Sequence, residues 1–206
     1  MPSDWLVRSE RRLRFLALPG LPGLIAGMNA AVGVLALFRP DFPDRLALDP
    51  AALASGEVWR VFTFLFIPNA GSPVWLAVWV VLIYVLMRRL ELAWGELRLT
   101  LFLLCGAACM TAAALLSGAE LSSWAVHLSV FFAFARLHPD MPLLVMFLFP
   151  VKVRWLAAAA WVWVGWVLVL GGAAARLELL AGLASYAAFF GDEHWAEARR
   201  FFSRAR

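Results

Sequence analysis

Ser123 and His127 lie four residues apart in the uncharged run 121–135, a spacing that brings both side chains to one face of a helix. A serine becomes a nucleophile when a base sits within hydrogen-bond reach, and an imidazole one turn away is the simplest base. No third group that would orient such a base is visible nearby. The same two residues also make ordinary polar contacts between helices. Arg60 and Glu91 form a second constellation, ionisable groups set in otherwise apolar sequence. A charge at the centre of a bilayer costs about 2.5–3.5 kcal/mol on insertion scales, so such groups pair. Arg60 and Glu91 are expected to pair with each other as a structural clamp. Replacing both should then recover part of the loss from replacing either. Cys105 and Cys109 share a helix face, but no His or carboxylate accompanies them at metal spacing. They read as packed free thiols, and no metal or cofactor is expected.

The chain that must position these groups has 206 residues, 64% apolar and 16% charged. Soluble domains run near ~45–50% apolar and ~25% charged, so this is the composition of an integral membrane protein. The apolar segments continue far beyond the first, which is therefore expected to be a retained helix and not a cleaved signal. The net charge of +4 comes from Arg and Lys flanking apolar segments. Nothing interleaves basic residues with exposed aromatics, and nucleic-acid binding is not expected.

Residues 1–18, with Arg8, Arg11, Arg12 and Arg14 among Trp5, Leu6, Leu13 and Phe15, read as an amphipathic segment on the membrane surface. The membrane domain spans 19–191 and a basic cytoplasmic tail spans 192–206. Leu21–Phe38 is an 18-residue uncharged run, long enough to span. Residues 39–55 are a polar, Pro-rich connector in which Asp49-Pro50 predicts a short capped helix. The break at 68–73 divides an interfacial piece from a spanning helix at about 73–92. Further spans are predicted at 99–119, 121–135, 155–175 and 179–191. The fourth of the six is short and polar and belongs in the bundle centre. The stretch 141–151 is too short to span and reads as an interfacial connector. Trp161, Trp163 and Trp166 read as an aromatic belt or bundle surface. Asn29 and Glu178 read as interhelical hydrogen-bonding groups. With six spans, 14 Lys and Arg fall on one side and 4 on the other. The positive-inside effect then places both termini in the cytoplasm.

Two segments carry a family resemblance. Gly56-x-x-Trp59-Arg60-x-x-Thr63, and Glu91-x-x-x-Gly95 at the end of the second span, resemble the membrane-dipping loop and second-helix ending of the rhomboid superfamily. Residues 90–104 and 131–156 follow the same family's passages between helices, and the likeness covers roughly residues 20–190. It implies an all-α, polytopic, six-helix bundle with an interfacial loop after the first helix. Trp59, Arg60, Glu91 and Gly95 are its structural motif residues. Rhomboid proteases carry Gly-x-Ser-Gly on the fourth helix, where this chain has Leu121-Ser122-Ser123-Trp124. They carry a His on the sixth helix, and no His occurs here between Pro139 and Glu193. The expected loop His is replaced by Pro68 or Asn69. The chain therefore resembles non-proteolytic, Derlin-like members.

That resemblance implies a catalytically inactive protein of a bacterial inner membrane. It would bind transmembrane segments of client proteins through a lateral face, or thin the surrounding bilayer. Two alternatives stand beside it. One is a rhomboid-type intramembrane serine endopeptidase with a non-standard Ser123/His127 site. The other is a small transporter subunit lined by Asn29, His127, Arg136 and Glu178.

Overall fold

The computed structural model describes residues 16–145 and 149–204. Most of the amphipathic segment expected over 1–18 therefore lies outside the described residues. The described chain is all-α apart from one small hairpin. Four of its helices are long and apolar enough to cross a membrane, namely Leu21–Phe38, Glu96–Ser117, Val153–Leu170 and the Ala173–Asp192 part of the last helix.

Helix α1 (Leu21–Phe38) begins after Gly20, whose φ of 75° is open to glycine, and its inward stripe is Ile25, Ala26, Asn29, Val32 and Gly33. The connector follows as a turn of 3-10 helix at Pro43–Arg45 and then α2 (Pro50–Ala54). Asp49 caps α2 by accepting the Ala51 N–H at 2.8 Å, with Pro50 at the first helical position. Helix α3 (Arg60–Thr63) runs into a 3-10 turn at Phe64–Phe66.

Helix α4 (Pro73–Trp94) opens on an extended Ser72, whose hydroxyl accepts the Trp75 N–H. It ends at Gly95, where φ is 84° and the next helix starts at once. Only glycine reverses the chain there without strain. Helix α5 (Glu96–Ser117) closes on Gly118 in the left-handed conformation, a common helix stop.

Helix α6 (Trp124–Leu137) has 14 residues and spans about 21 Å at 1.5 Å per residue, short of a bilayer core of about 30 Å. It packs against α4, α5, helix α7 (Val153–Leu170) and helix α8 (Ala173–Arg204). Its buried residues occupy every side, from Ala125 and Val126 through Phe132 to Phe134. A helix buried all round needs no match to lipid, which is why a short, polar segment is stable at this place. The central position expected from its serines and histidine is the one observed.

Small side chains let α6 and its neighbours approach closely. A Cβ on Gly182 of α8 would collide with Ala125 of α6, and one on Gly106 of α5 would press on Val126 and Ser185. Ser129 and Ser185 add a hydroxyl contact of 3.1 Å between α6 and α8. Helix α7, by contrast, buries only Val153 and Val164. Trp161 stacks on Phe132 at 4.2 Å and Trp163 meets Trp124 edge-on, while Trp155 and Trp166 remain exposed. These tryptophans cover the bundle surface, as their sequence suggests.

Two sequence expectations are corrected. The connector expected over 141–151 is present and is built as an antiparallel hairpin, β1 (Pro142–Val145) with β2 (Phe149–Lys152), in the register Pro142 to Lys152. Asp140 anchors its base through Lys152 and Arg154, each at 3.3 Å. The run 155–175 is not one helix, because α7 stops at Leu170 and Gly171-Gly172 turns the chain into α8. A Cβ at Gly171 would strike the Val167 carbonyl. Finally, the polar residues up to 204 continue α8, which is 32 residues long. Polar sequence there marks the helix leaving apolar surroundings, not its end.

The close α6–α8 approach yields a measurable contrast. Gly182→Ala is expected to lower stability by about 1–3 kcal/mol through overpacking. Gly165→Ala on α7, where a Cβ meets nothing within 4 Å, should be neutral or stabilising by up to about 1 kcal/mol. Thermal unfolding of detergent-solubilised protein followed by circular dichroism reads both. Equal behaviour of the two variants would contradict the packing.

Candidate functional site

The centre of the bundle is set by what its few polar side chains hold. Ser123 stands just before the first turn of α6 and is 2% exposed. Its hydroxyl donates to the Ile67 carbonyl at 3.0 Å, tying the loop before α4 to the start of α6. His127, one turn on and 4% exposed, makes no hydrogen bond to Ser123 Oγ. The Ser123 carbonyl accepts the His127 backbone N–H at 3.2 Å and lies near the ring, yet neither Nδ1 nor Nε2 has a partner in hydrogen-bond geometry. The spacing thus brings the two candidate residues together on one helix without joining them. A hydroxyl whose proton points at a backbone carbonyl is not being activated by a base. An unpartnered buried imidazole also costs about 1–3 kcal/mol, so its retention calls for an explanation.

The imidazole meets the ring of Trp79 edge-on at 5.1 Å. Trp79 on α4 donates its indole N–H to Asn29 Oδ1 at 3.0 Å, and Asn29 Nδ2 donates to the Ile25 and Leu65 carbonyls at 3.0 and 3.1 Å. Asn29 is fully buried and joins α1, the loop and α4 in one node. Between α4 and α6 lies a cavity of about 270 Å³, lined by Asn69, Trp79, Leu82, Ile83, Leu86, Trp124, His127, Leu128 and Phe131. Sequence reading did not single out Trp79, although an indole N–H inside an apolar helix must find an acceptor. Asn29, an amide inside the first apolar run, was its available partner.

Arg60 and Glu91 are not partners, which corrects the clamp expected between them. Arg60 Nε pairs with Glu57 Oε2 at 2.6 Å, and its Nη1 donates to the Asp44 and Ala47 carbonyls, each at 2.8 Å. Thr63 adds a bond to the Leu46 carbonyl at 3.1 Å. The Trp-Arg-x-x-Thr motif therefore staples α3 to the connector 44–47, while Trp59 itself is half exposed. Glu91 pairs instead with Arg88 on its own helix, and its Oε1 is buried without a hydrogen-bond partner. Geometry excludes the expected pair. The loop sits where α4 begins, and Glu91 lies 18 residues further along it, about 27 Å away.

Glu178 and Asn29 serve between elements, as expected of them. Glu178 Oε1 accepts from the Ser122 N–H at 2.8 Å and the Ser122 hydroxyl at 2.5 Å, linking α8 to the entry of α6. Of Asn29, His127, Arg136 and Glu178, expected to line a transport path, only His127 borders the cavity. Among the described residues no three His, Cys, Asp or Glu side chains gather as a metal ligand set. No family model, curated protein or solved structure matches the chain.

The two ion pairs make a direct test. Arg60→Leu leaves Glu57 and two carbonyls without their donor and is expected to cost about 3 kcal/mol. Because Arg60 and Glu91 are far apart and share no partner, Arg60→Leu and Glu91→Gln should add within about 0.5 kcal/mol in the double variant. Recovery of more than about 1 kcal/mol in the double variant, read from unfolding in detergent, would restore the direct pair.

Proposed function

We propose that this chain is a catalytically inactive, rhomboid-like membrane protein that receives transmembrane segments of other proteins along α4. The observation that carries the reading is the separation of hydroxyl from imidazole: Ser123 donates to the Ile67 carbonyl and no hydrogen bond joins the His127 ring to Ser123 Oγ. The polar groups that a protease would spend on chemistry are spent on joining helices, and the all-α build with four long apolar helices supports a membrane protein. The asymmetry of Arg and Lys supports cytoplasmic placement of both termini, in what the resemblance implies is a bacterial inner membrane.

The receiving surface is the outer face of α4. Pro73, Val74, Ala77, Val78, Val81 and Val85, with Leu82 and Leu143, line a trough of about 600 Å³ that runs along the helix. Short and β-branched side chains keep this face shallow, and helices associate in bilayers by such close van der Waals contact.

A photoreactive residue at Val81, which is 62% exposed, tests the surface in native membranes. Crosslinked peptides should map to apolar helical segments of other membrane proteins, at several times the yield from Leu24 on α1. Ala77→Trp, which fills the trough, should remove them. Lipid adducts alone, or the same proteins at equal yield from Leu24, would refute the reading.

A further inference from the structure

The hairpin of β1 and β2 lies where α4 turns from apolar to charged, whether or not α4 receives other helices. Leu143 shares the trough lining with Leu82 and Val85, which precede Arg88 and Arg89 by only a turn or two. From Met141 to Val151 the hairpin sequence itself carries no charge. Paired residues share a face. Leu143 and Val151, both half-buried, form the face toward the bundle, while Pro142, Pro150 and Lys152, all exposed, belong to the other.

The Val153 N–H donates to the Met141 carbonyl at 3.0 Å, which sets the alternation of the ladder. By that alternation Pro142 and Pro150 occupy positions whose N–H would point away from the partner strand. Proline has no N–H, so each strand edge is spared a donor that apolar surroundings would leave unsatisfied. A hairpin built this way suits the boundary between acyl chains and headgroups.

The base of the hairpin is charged. Lys152 and Arg154, each with half its side chain exposed, share Oδ1 of Asp140 at 3.3 Å. Two cations on one carboxylate leave a charge of +1, and exposed bridges of this kind are weak enough for a phosphate to replace the carboxylate. Arg154 also lies over the ring of Trp155 at 5.7 Å, and that ring is exposed. Tryptophans concentrate at headgroup level, where the ring meets chains and the indole N–H meets water.

We propose that the hairpin binds an anionic phospholipid of the leaflet it borders, with the phosphate on Lys152 and Arg154 and an acyl chain along the face that carries Pro142 and Pro150. A zwitterionic lipid offers the same chain and phosphate but adds a headgroup cation, which the positive base repels.

Native mass spectrometry of the full chain released from micelles compares phosphatidylglycerol with phosphatidylcholine of the same acyl chains. Phosphatidylglycerol should be retained in preference, and Lys152→Gln and Arg154→Gln should each lower that preference about 5-fold, the value of one cation at an anionic surface. Arg45→Gln, which removes an exposed cation from the connector, should leave it unchanged. Soluble glycerol phosphate, which lacks the chain, should not displace the lipid. For the acyl face, a nitroxide on Pro150→Cys, in a chain that also carries Cys105→Ser and Cys109→Ser, should meet dissolved oxygen more readily than a water-soluble nickel chelate in nanodiscs. A nitroxide on Arg45→Cys should show the reverse. Equal retention of the two lipids, a loss with Arg45→Gln as large as with Arg154→Gln, or displacement by glycerol phosphate would each overturn the proposal. A nitroxide at position 150 as open to the chelate as one at position 45 would overturn it as well.

Discussion

The structure depends on one requirement, that each polar side chain held in apolar surroundings find a partner there. Asn29 meets it most fully, with its amide satisfied by two carbonyls and an indole, so that one residue joins the first helix, the interfacial loop and α4. Ser123 binds the loop to α6, Glu178 binds α8 to the same helix end, and Ser129 and Ser185 meet across the centre. Arg60 meets the requirement in the loop before α4, through three oxygens of the connector and its own turn. These bonds all join separate elements or fix a loop, and none is arranged to activate a nucleophile. Among the described residues the exceptions are the ring nitrogens of His127, Nδ1 of His138 and one carboxylate oxygen of Glu91, each buried without a hydrogen-bond partner.

Those bonds divide the bundle into a firmly held part and a loosely held part. Helices α5, α6 and α8 approach closely through Gly106, Ala125 and Gly182, and α1 lies against α4 where Gly33 faces Leu76. Helix α7 is attached chiefly by aromatic contacts, of which Trp161 on Phe132 is the tightest. In a bilayer, lipid replaces missing protein contacts at little cost, so a peripheral helix of this kind can yield its place. The apolar face of α4 lies on the outside of the bundle, where a passing helix would meet it.

Much of the architecture could be read from the residues. The uncharged run Leu21–Phe38 is a helix with the same bounds, and Asp49-Pro50 caps a short helix as its residue types require. The short fourth segment is central because its hydroxyls and imidazole would be costly in lipid. The misses have physical causes. The 32-residue last helix runs past its apolar stretch because helices do not end where hydrophobicity ends, but where a cap or a breaker stands. The break between α7 and α8 was written in Gly171-Gly172, within a run uniform in hydropathy. The Arg60–Glu91 pairing failed for a geometric reason. Complementary charges in neighbouring segments stand at opposite ends of the helix between them. The site was half legible: residue types named Ser123 and His127, but only tertiary contacts show the hydroxyl turned to Ile67 and Trp79 fixed by Asn29.

The central claim is that Ser123 is not an activated nucleophile, its hydroxyl being held by the Ile67 carbonyl. Labelling of the purified protein with a fluorophosphonate probe, followed by mass spectrometry of the adduct, addresses that most directly. The account predicts no label on Ser123 above that of a denatured control. A label on Ser123 that disappears in His127→Ala would contradict it, because it would show the imidazole drawing the proton from a hydroxyl that here faces the Ile67 carbonyl.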